Sequence, residues 1–140
     1  MHVDGLSDGQ IREVLAGTRR IALVGASNKP ERPSYGVMRF LLENGFEVVP
    51  VNPGLAGQKL LGQLVVGSLE EAAPLDMVDL FRNAADVGAP VAEAIRLGAK
   101  TIWMQLGVVN EAAARAARDA GLTVVMDRCP AIEMPRLGMV

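Results

Sequence analysis

The residues best suited to chemistry lie close together in one short stretch near the start of the chain. The apolar run Ile21-Ala22-Leu23-Val24 ends at Gly25 and is followed by the small polar loop Ala26-Ser27-Asn28, and a helical pattern begins near Ser34. This order predicts a buried strand, a turn and a helix N-terminus, the place where parallel α/β sheets bind phosphate. We expect Gly25, Ala26 and Ser27 to contact a ligand through free backbone N–H groups. A bulky side chain at Gly25 should then block the ligand without unfolding the chain.

Basic side chains follow this turn and favour an anionic ligand. Lys29 and Arg32 lie in the loop itself, and Arg82 follows a later apolar run. Arginine binds phosphate through a bidentate fork and lysine acts as a point charge. Tyr35, in the first turn of the next helix, either packs there or lines the ligand slot. The sequence therefore predicts a phosphate-bearing ligand at the first turn.

Alternating apolar runs and amphipathic segments must position these residues. Strands are predicted at 21–27, 47–53, 76–82, 101–107 and 123–129, and helices near 7–17, 34–44, 68–72, 87–98 and 110–121. This alternation predicts a Rossmann-like three-layer αβα sandwich with a mostly parallel, doubly wound sheet. The strands beginning at Ile21 and Asp76 should be neighbours at its switch point, and Pro50 places the second strand near the margin. The tail from Pro130 shows no strong period.

Composition limits the classes of protein that fit. The 140 residues predict a single domain, 1–140, in which residues 1–18 supply a leading helix packed on the sheet. A net charge of −2 provides no basic surface for nucleic acid. No apolar run reaches the roughly 18 residues of a membrane span, and we expect a cytoplasmic protein. No residue cluster has metal-ligand spacing.

The predicted strand ends supply the remaining candidate residues. Carboxyl ends of parallel strands meet at one edge of a sheet, so the segments that follow them should lie together. These segments include Asn52-Pro53, Phe81-Arg82 and Gln105-Leu106-Gly107. For Asn52 and Gln105, binding a ligand and satisfying loop backbone remain equally open.

A nicotinamide dinucleotide fits this pattern poorly. The dinucleotide fingerprint needs two further glycines after Gly25, but Ser27 and Pro30 occupy those positions. The second strand should end on an acid that binds the ribose hydroxyls, yet it ends at Val51-Asn52-Pro53. A different nucleotide, with a looser first turn, is expected.

Several short segments along the chain together resemble a known family. They are Val24-Gly25-Ala26-Ser27, Ser34-Tyr35-Gly36-Val37, Val49-Pro50-Val51-Asn52-Pro53, Val78-Asp79-Leu80-Phe81-Arg82, Trp103-Met104-Gln105-Leu106-Gly107 and Val125-Met126-Asp127-Arg128-Cys129. Their order resembles that of the small bacterial and archaeal CoA-binding proteins. That family is similar to the N-terminal CoA-binding domain of the succinyl-CoA synthetase alpha subunit. The resemblance extends over residues 8–137.

The resemblance implies that coenzyme A, or an acyl-CoA, lies across the strand ends with its phosphates at the first turn. The family's ligand contacts fall on Gly25, Ala26, Ser27, Val51, Asn52, Pro53, Phe81, Arg82, Gln105, Leu106 and Gly107. The synthetase also uses a phosphorylatable histidine in a second domain, whereas the one histidine of this chain is His2. Ligase chemistry is therefore not implied.

No constellation in the sequence predicts catalysis. Cys129 is the one cysteine, and it lacks the resolving cysteine or histidine base that a redox or nucleophilic role needs. We expect a protein that binds CoA without catalysis of its own, as a carrier, sensor or subunit. The alternatives are an NAD(P)-dependent or acyl-CoA-processing enzyme and an interaction module that packs through helix 110–121. The expected partner is a small nucleotide ligand, and a homo-oligomer or a protein partner remains open.

Overall fold

The fold is a parallel sheet with helices on both faces, seen in a computed structural model that describes residues 2–140. Within those residues the strands are β1 (Arg20–Val24), β2 (Glu47–Val51), β3 (Lys59–Leu60), β4 (Gln63–Leu64), β5 (Met77–Leu80), β6 (Thr101–Met104) and β7 (Thr123–Val125). The helices are α1 (Asp8–Ala16), α2 (Pro33–Glu43), α3 (Leu69–Ala72), α4 (Gly88–Arg96), α5 (Glu111–Asp119) and α6 (Pro130–Arg136).

The main sheet has the order β2-β1-β5-β6-β7, with every neighbouring pair parallel. The chain moves outward from β1 to β2, returns to β5 on the other side of β1, and continues to β7. The direction of winding therefore reverses between β1 and β5, where Ile21 pairs with Met77. The predicted doubly wound sheet and its switch point are confirmed.

Alternation along each strand divides the core between two layers of helices, because successive side chains point to opposite faces. On one face Val78, Ile102 and Val124 pack with the buried residues of α3, α4 and α5. On the other face Ile21, Met77 and Trp103 pack with those of α1, α2 and α6.

Local signals in the sequence set most of the helix ends. Ser7 caps α1 through a capping box with Gln10, and the Asn110 side chain accepts from the Ala113 N–H to cap α5. Pro50 lies in the edge strand β2 and has no N–H to donate, while its carbonyl accepts from the Val66 N–H. These predictions of caps and of a marginal second strand are confirmed.

The C-terminal tail contains a helix that the sequence did not predict. α6 begins at Pro130, a favourable first helical residue, and packs beside α2. Its few residues include a second proline, Pro135, so no apolar period is long enough to detect. The helix buries Met134 and Glu133 instead of leaving the tail irregular.

Candidate functional site

A cleft of about 800 Å³ lies at the carboxyl ends of the strands. It is lined by Gly25, Ala26, Ser27, Asn28, Lys29, Arg32, Pro33, Ser34, Val37, Asn52, Gly54, Leu55, Phe81, Arg82, Asn83, Ala84, Gln105, Leu106, Gly107, Val108 and Cys129. Its volume is in the range of roughly 300–1,000 Å³ that small-molecule sites occupy. The cleft lies where the winding of the sheet reverses, as the strand order requires.

Most of the residues chosen from the sequence line this cleft, and three do not. Tyr35 is half-buried against the core and lies under the Arg39 guanidinium, whose carbon is 5.2 Å from the ring centroid. Val51 is buried in the edge strand, and Pro53 is exposed in a short 3₁₀ turn. None of these three side chains lines the cleft: Tyr35 takes the packed alternative, and ligand contact at Val51 and Pro53 stays a prediction.

The first turn differs from the expected run of free N–H groups. The N–H groups of Gly25 and Ala26 both donate to the Val51 carbonyl, at 3.1 and 3.3 Å. They are used to join the end of β1 to the end of β2. The expectation that these two amides are free for a ligand is therefore wrong.

Gly25 itself is required by a close approach of two backbones. Its φ is +87°, and a Cβ atom at this position would lie 2.2 Å from the Phe81 carbonyl oxygen. A side chain here would separate the ends of β1 and β5. The expectation that a bulky residue at Gly25 spares the fold is also wrong.

Free donors are present a few residues further along the same loop. The N–H groups of Ser27, Asn28 and Ser34 have no hydrogen-bond acceptor among residues 2–140, and all three residues line the cleft. The side-chain cap that would otherwise satisfy the start of α2 is absent, because Arg32 occupies the N-cap position. The Ser34 hydroxyl is also a potential donor at this end of the cleft.

The charge of the cleft is entirely positive among its lining residues. Lys29, Arg32 and Arg82 are exposed on its walls, and no aspartate or glutamate is among the residues that line it. Glu31 belongs to the same loop as the first two cations but does not line the cleft. In a chain with a net charge of −2, this is a local concentration of cations.

Asn52 and Gln105 both hold protein groups in place. The Asn52 Nδ2 group donates to the Ala26 carbonyl at 2.8 Å, and its Oδ1 atom accepts from the Gly54 N–H. Asn52 therefore braces the first turn against the loop after β2. Gln105 is buried, and its Nε2 group donates to Asp79 Oδ1 at 2.6 Å.

Asp79 is a buried acid that was not among the site residues predicted from the sequence. It is fully buried on β5, and burial raises its pKa to about 7, with the Gln105 hydrogen bond acting in the opposite direction. The available signal was one carboxylate inside an otherwise apolar strand, Met77-Val78-Asp79-Leu80. Its neighbour in sequence, Asp76, instead accepts from the Arg19 and Arg20 N–H groups at the other end of the strand.

Cys129 lines the cleft as a buried thiol at the start of α6. Burial raises its pKa, and the charge of Asp79 acts in the same direction, outweighing the N–H groups of Ala131 and Ile132. The thiol is therefore protonated near neutral pH, and thiolate chemistry is disfavoured.

The described residues hold neither a metal-binding cluster of acidic, histidine or cysteine side chains nor a membrane-spanning helix. Among residues 2–140, no group of at least three His, Cys, Asp or Glu side chains is arranged to hold a metal ion. In the same residues, no helix combines the length and the apolar character needed to cross a membrane.

The chain is similar to known proteins over most of its length. The CoA binding domain family matches residues 19–135. The chain belongs to this family. An uncharacterized protein of Bacillus subtilis (strain 168), YneT, is 37% identical over 124 residues, which are 88% of this chain and 90% of that protein.

Solved structures that are similar to this chain have the same fold. A hypothetical protein from Pyrococcus horikoshii OT3 is 42% identical, with a TM-score of 0.92 over 98% of this chain and 96% of that chain. A protein from Thermus thermophilus is 35% identical, with a TM-score of 0.89 over 94% of this chain and 99% of that chain. The family and the Rossmann-like fold expected from the sequence are confirmed.

Proposed function

We propose that this chain binds coenzyme A or an acyl-CoA in the cleft at the strand ends. One observation carries the proposal. The N–H groups of Ser27, Asn28 and Ser34 have no acceptor within residues 2–140, and they lie in a cleft whose charged lining residues are all cations. Coenzyme A carries a pyrophosphate and a ribose 3′-phosphate, so it presents several anionic groups to one site. Membership in the CoA binding domain family supports the same choice.

Each part of the ligand has a matching wall of the cleft. The pyrophosphate is proposed to lie at the start of α2, where the unpaired amides and the helix dipole favour negative charge. Lys29, Arg32 and Arg82 surround this end and neutralise the remaining phosphate charge. The pantetheine arm is proposed to pass Phe81 and Leu106 toward Gln105.

We further propose that the chain performs no catalysis on its ligand. The acid nearest the inner wall, Asp79, is sealed from the cleft by complete burial, and the Cys129 thiol has a raised pKa. Neither group is arranged as an accessible base or nucleophile. The role is then that of a carrier, a sensor or a subunit.

Isothermal titration of the purified chain with CoA tests the proposal, with NAD and NADP titrated in parallel. We expect saturable binding of CoA at one site per chain and no binding of NAD or NADP. Arg32→Ala should weaken CoA binding about tenfold, since a hydrogen bond to a charged group contributes roughly 1.5–3 kcal/mol. Arg118→Ala, at an exposed position of α5 outside the cleft, is the matched control.

Two results would contradict the proposal. Binding of NAD without binding of CoA would favour an NAD-dependent enzyme. Binding of none of the three ligands would favour an interaction module whose cleft serves another purpose.

A further inference from the structure

A buried carboxylate lies directly behind one wall of the cleft. Asp79 of β5 pairs with Leu23 of β1 on one side and with Trp103 of β6 on the other. Gln105 follows Trp103 by two residues, so its side chain leaves the backbone toward the same face of the sheet. Gln105 lines the cleft, and its Nε2 group donates to Asp79 Oδ1 at 2.6 Å.

The second oxygen of this carboxylate is unsatisfied. Asp79 Oδ2 is buried and has no hydrogen-bond partner among residues 2–140. Buried polar groups nearly always have a partner, so each exception requires a reason. Structural carboxylates elsewhere in the chain, such as Asp4 and Glu133, bond to arginine side chains.

No cation bonds to Asp79 among residues 2–140, since Oδ2 has no partner and Oδ1 accepts from the neutral Gln105 amide. Charged and titratable side chains are present on the elements that cover this face, and the Asp79 charge adds to the burial that raises the pKa of Cys129. On these elements they are Asp8, Arg12 and Glu13 of α1, Tyr35, Arg39 and Glu43 of α2, and Arg128, Cys129, Glu133 and Arg136 in and before α6.

We propose that Asp79 is a positioning residue that sets which end of the Gln105 amide faces the cleft, and that this amide selects a hydrogen-bond donor on the ligand arm. This inference rests on the proposed function. An ionised carboxylate only accepts, so the amide turns its Nε2 group toward Asp79 and leaves Oε1 for the cleft. The matching ligand group is an amide N–H or a hydroxyl, and the pantetheine arm of CoA carries both.

Protonation of Asp79 reverses this arrangement. The neutral acid has an O–H group, which donates to Oε1 when the amide turns over. The NH₂ group of Gln105 then faces the cleft, and a donor on the ligand loses its acceptor. Because burial raises the Asp79 pKa to about 7, the change falls near neutral pH, and binding of the arm is linked to release of the proton.

Nuclear magnetic resonance of the free protein tests the positioning itself. Side-chain carboxyl signals of Asp79 and side-chain amide signals of Gln105 should titrate together with a midpoint near pH 7. The Gln105 titration should vanish in Asp79→Asn and persist in Asp119→Asn, which changes an exposed acid of α5. Side-chain amide signals of Gln105 that do not change between pH 5 and pH 9 would overturn the proposal.

Binding measured at pH 6 and pH 8 tests the consequence for the ligand. If the ionised form alone accepts the arm, a pKa of about 7 makes CoA bind about tenfold more weakly at pH 6 than at pH 8. 3′-Dephospho-CoA keeps the arm and the pyrophosphate diester but lacks the 3′-phosphate, the one phosphate of CoA that titrates in this range, so its binding should show the same tenfold change. Asp79→Asn and Gln105→Met should abolish the pH dependence of 3′-dephospho-CoA binding.

The two proposals fail in different ways. Equal pH dependence for CoA in the natural chain and in Asp79→Asn would overturn the role of Asp79 while leaving CoA binding intact. Absence of CoA binding at pH 8 would contradict the proposed function, and the resonance titration would still decide whether Asp79 controls the Gln105 amide.

Discussion

Asp4 and Asp79 are both buried carboxylates, but their hydrogen-bond partners differ and their pKa values are shifted in opposite directions. Asp4 accepts from the Nε and Nη2 groups of Arg128 and from the N–H groups of Leu6 and Met126. Burial raises the pKa of Asp4, but these hydrogen bonds outweigh it and hold the pKa below its ordinary value. Asp79 has one hydrogen bond and no counter-ion, and its pKa is raised to about 7.

The difference separates the part of the molecule that secures the fold from the part that faces the cleft. Around Arg128, every nitrogen of the guanidinium and every oxygen of the two acids has a hydrogen-bond partner. The Arg128 Nη1 group donates to Glu133, and the Arg128 Nη2 group donates to the Leu6 carbonyl as well as to Asp4. A buried network with every member satisfied gives rigidity. A partly satisfied acid such as Asp79 costs stability, and its position beside the cleft supports the positioning role that we propose for it.

The largest effect is expected at Arg128. Arg128→Met leaves the Asp4 carboxylate buried without a cation and leaves Glu133 with Arg136 alone, and breaking such a buried pair costs about 3–5 kcal/mol. Urea unfolding should show this loss in the free energy of unfolding. Arg118→Met, on the exposed side of α5, should change it by less than about 0.5 kcal/mol. Equal stability of the two variants would show that the network contributes little.

The next largest effect concerns Asp79 and depends on pH. Its pKa is raised from 3.8 to about 7 on folding, so the folded chain holds this proton more tightly than the unfolded chain. Stability is therefore lost as the pH rises from about 4 to about 7, by on the order of 4 kcal/mol. Asp79→Asn should remove this loss and unfold at a higher urea concentration than the natural chain at pH 8, with little difference at pH 4.5.

The Arg128 network should respond to pH in a separate window. The pKa values of Asp4 and Glu133 are lowered on folding, because arginine hydrogen bonds outweigh the effect of burial. Their contribution is present above a pH of about 4 and is lost as the pH falls further. Asp79→Asn should therefore reduce the dependence of the free energy of unfolding on pH between pH 4 and 7. It should leave the loss of stability below pH 4 unchanged. If Asp79→Asn changed only the loss of stability below pH 4, Asp79 and the Arg128 network would not be independent of each other.

The smallest effect is expected at Arg82, an exposed cation of the cleft that forms no ion pair with any of residues 2–140. Arg82→Ala should leave the free energy of unfolding within about 0.5 kcal/mol, in contrast to Arg128. CoA binding should weaken about tenfold, and binding of 3′-dephospho-CoA should weaken less if Arg82 contacts the 3′-phosphate. Titration calorimetry with both ligands measures this, and equal losses would remove that contact.

Local sequence signals predicted the fold well, and nonlocal contacts account for what they did not predict. The apolar run Ile21-Ala22-Leu23-Val24 and the caps Ser7 and Asn110 act over a few residues, so the sequence alone located their elements. The role of the Val51 carbonyl depends on pairing between β1 and β2. Free donors were therefore expected at Gly25, Ala26 and Ser27, of which Ser27 alone has an N–H group that is free within residues 2–140, and Asn28 and Ser34 supply the others.

The same reasoning explains the candidate site. Its position followed from the strand ends, and most chosen residues line the cleft. Val37, Leu55 and Val108 were not chosen, because an apolar residue that lines a cleft has the same local pattern as one in the core. The contact between Asp79 and Gln105 depends on the register of β5 against β6, which no short segment specifies.

The bond between Asp4 and Arg128 has a consequence for the order in which the chain folds during its synthesis. The two residues are 124 positions apart in sequence. Asp4 leaves the ribosome before its partner, which follows only after β7 has been made. This network can therefore form only after all five strands of the main sheet have been synthesised.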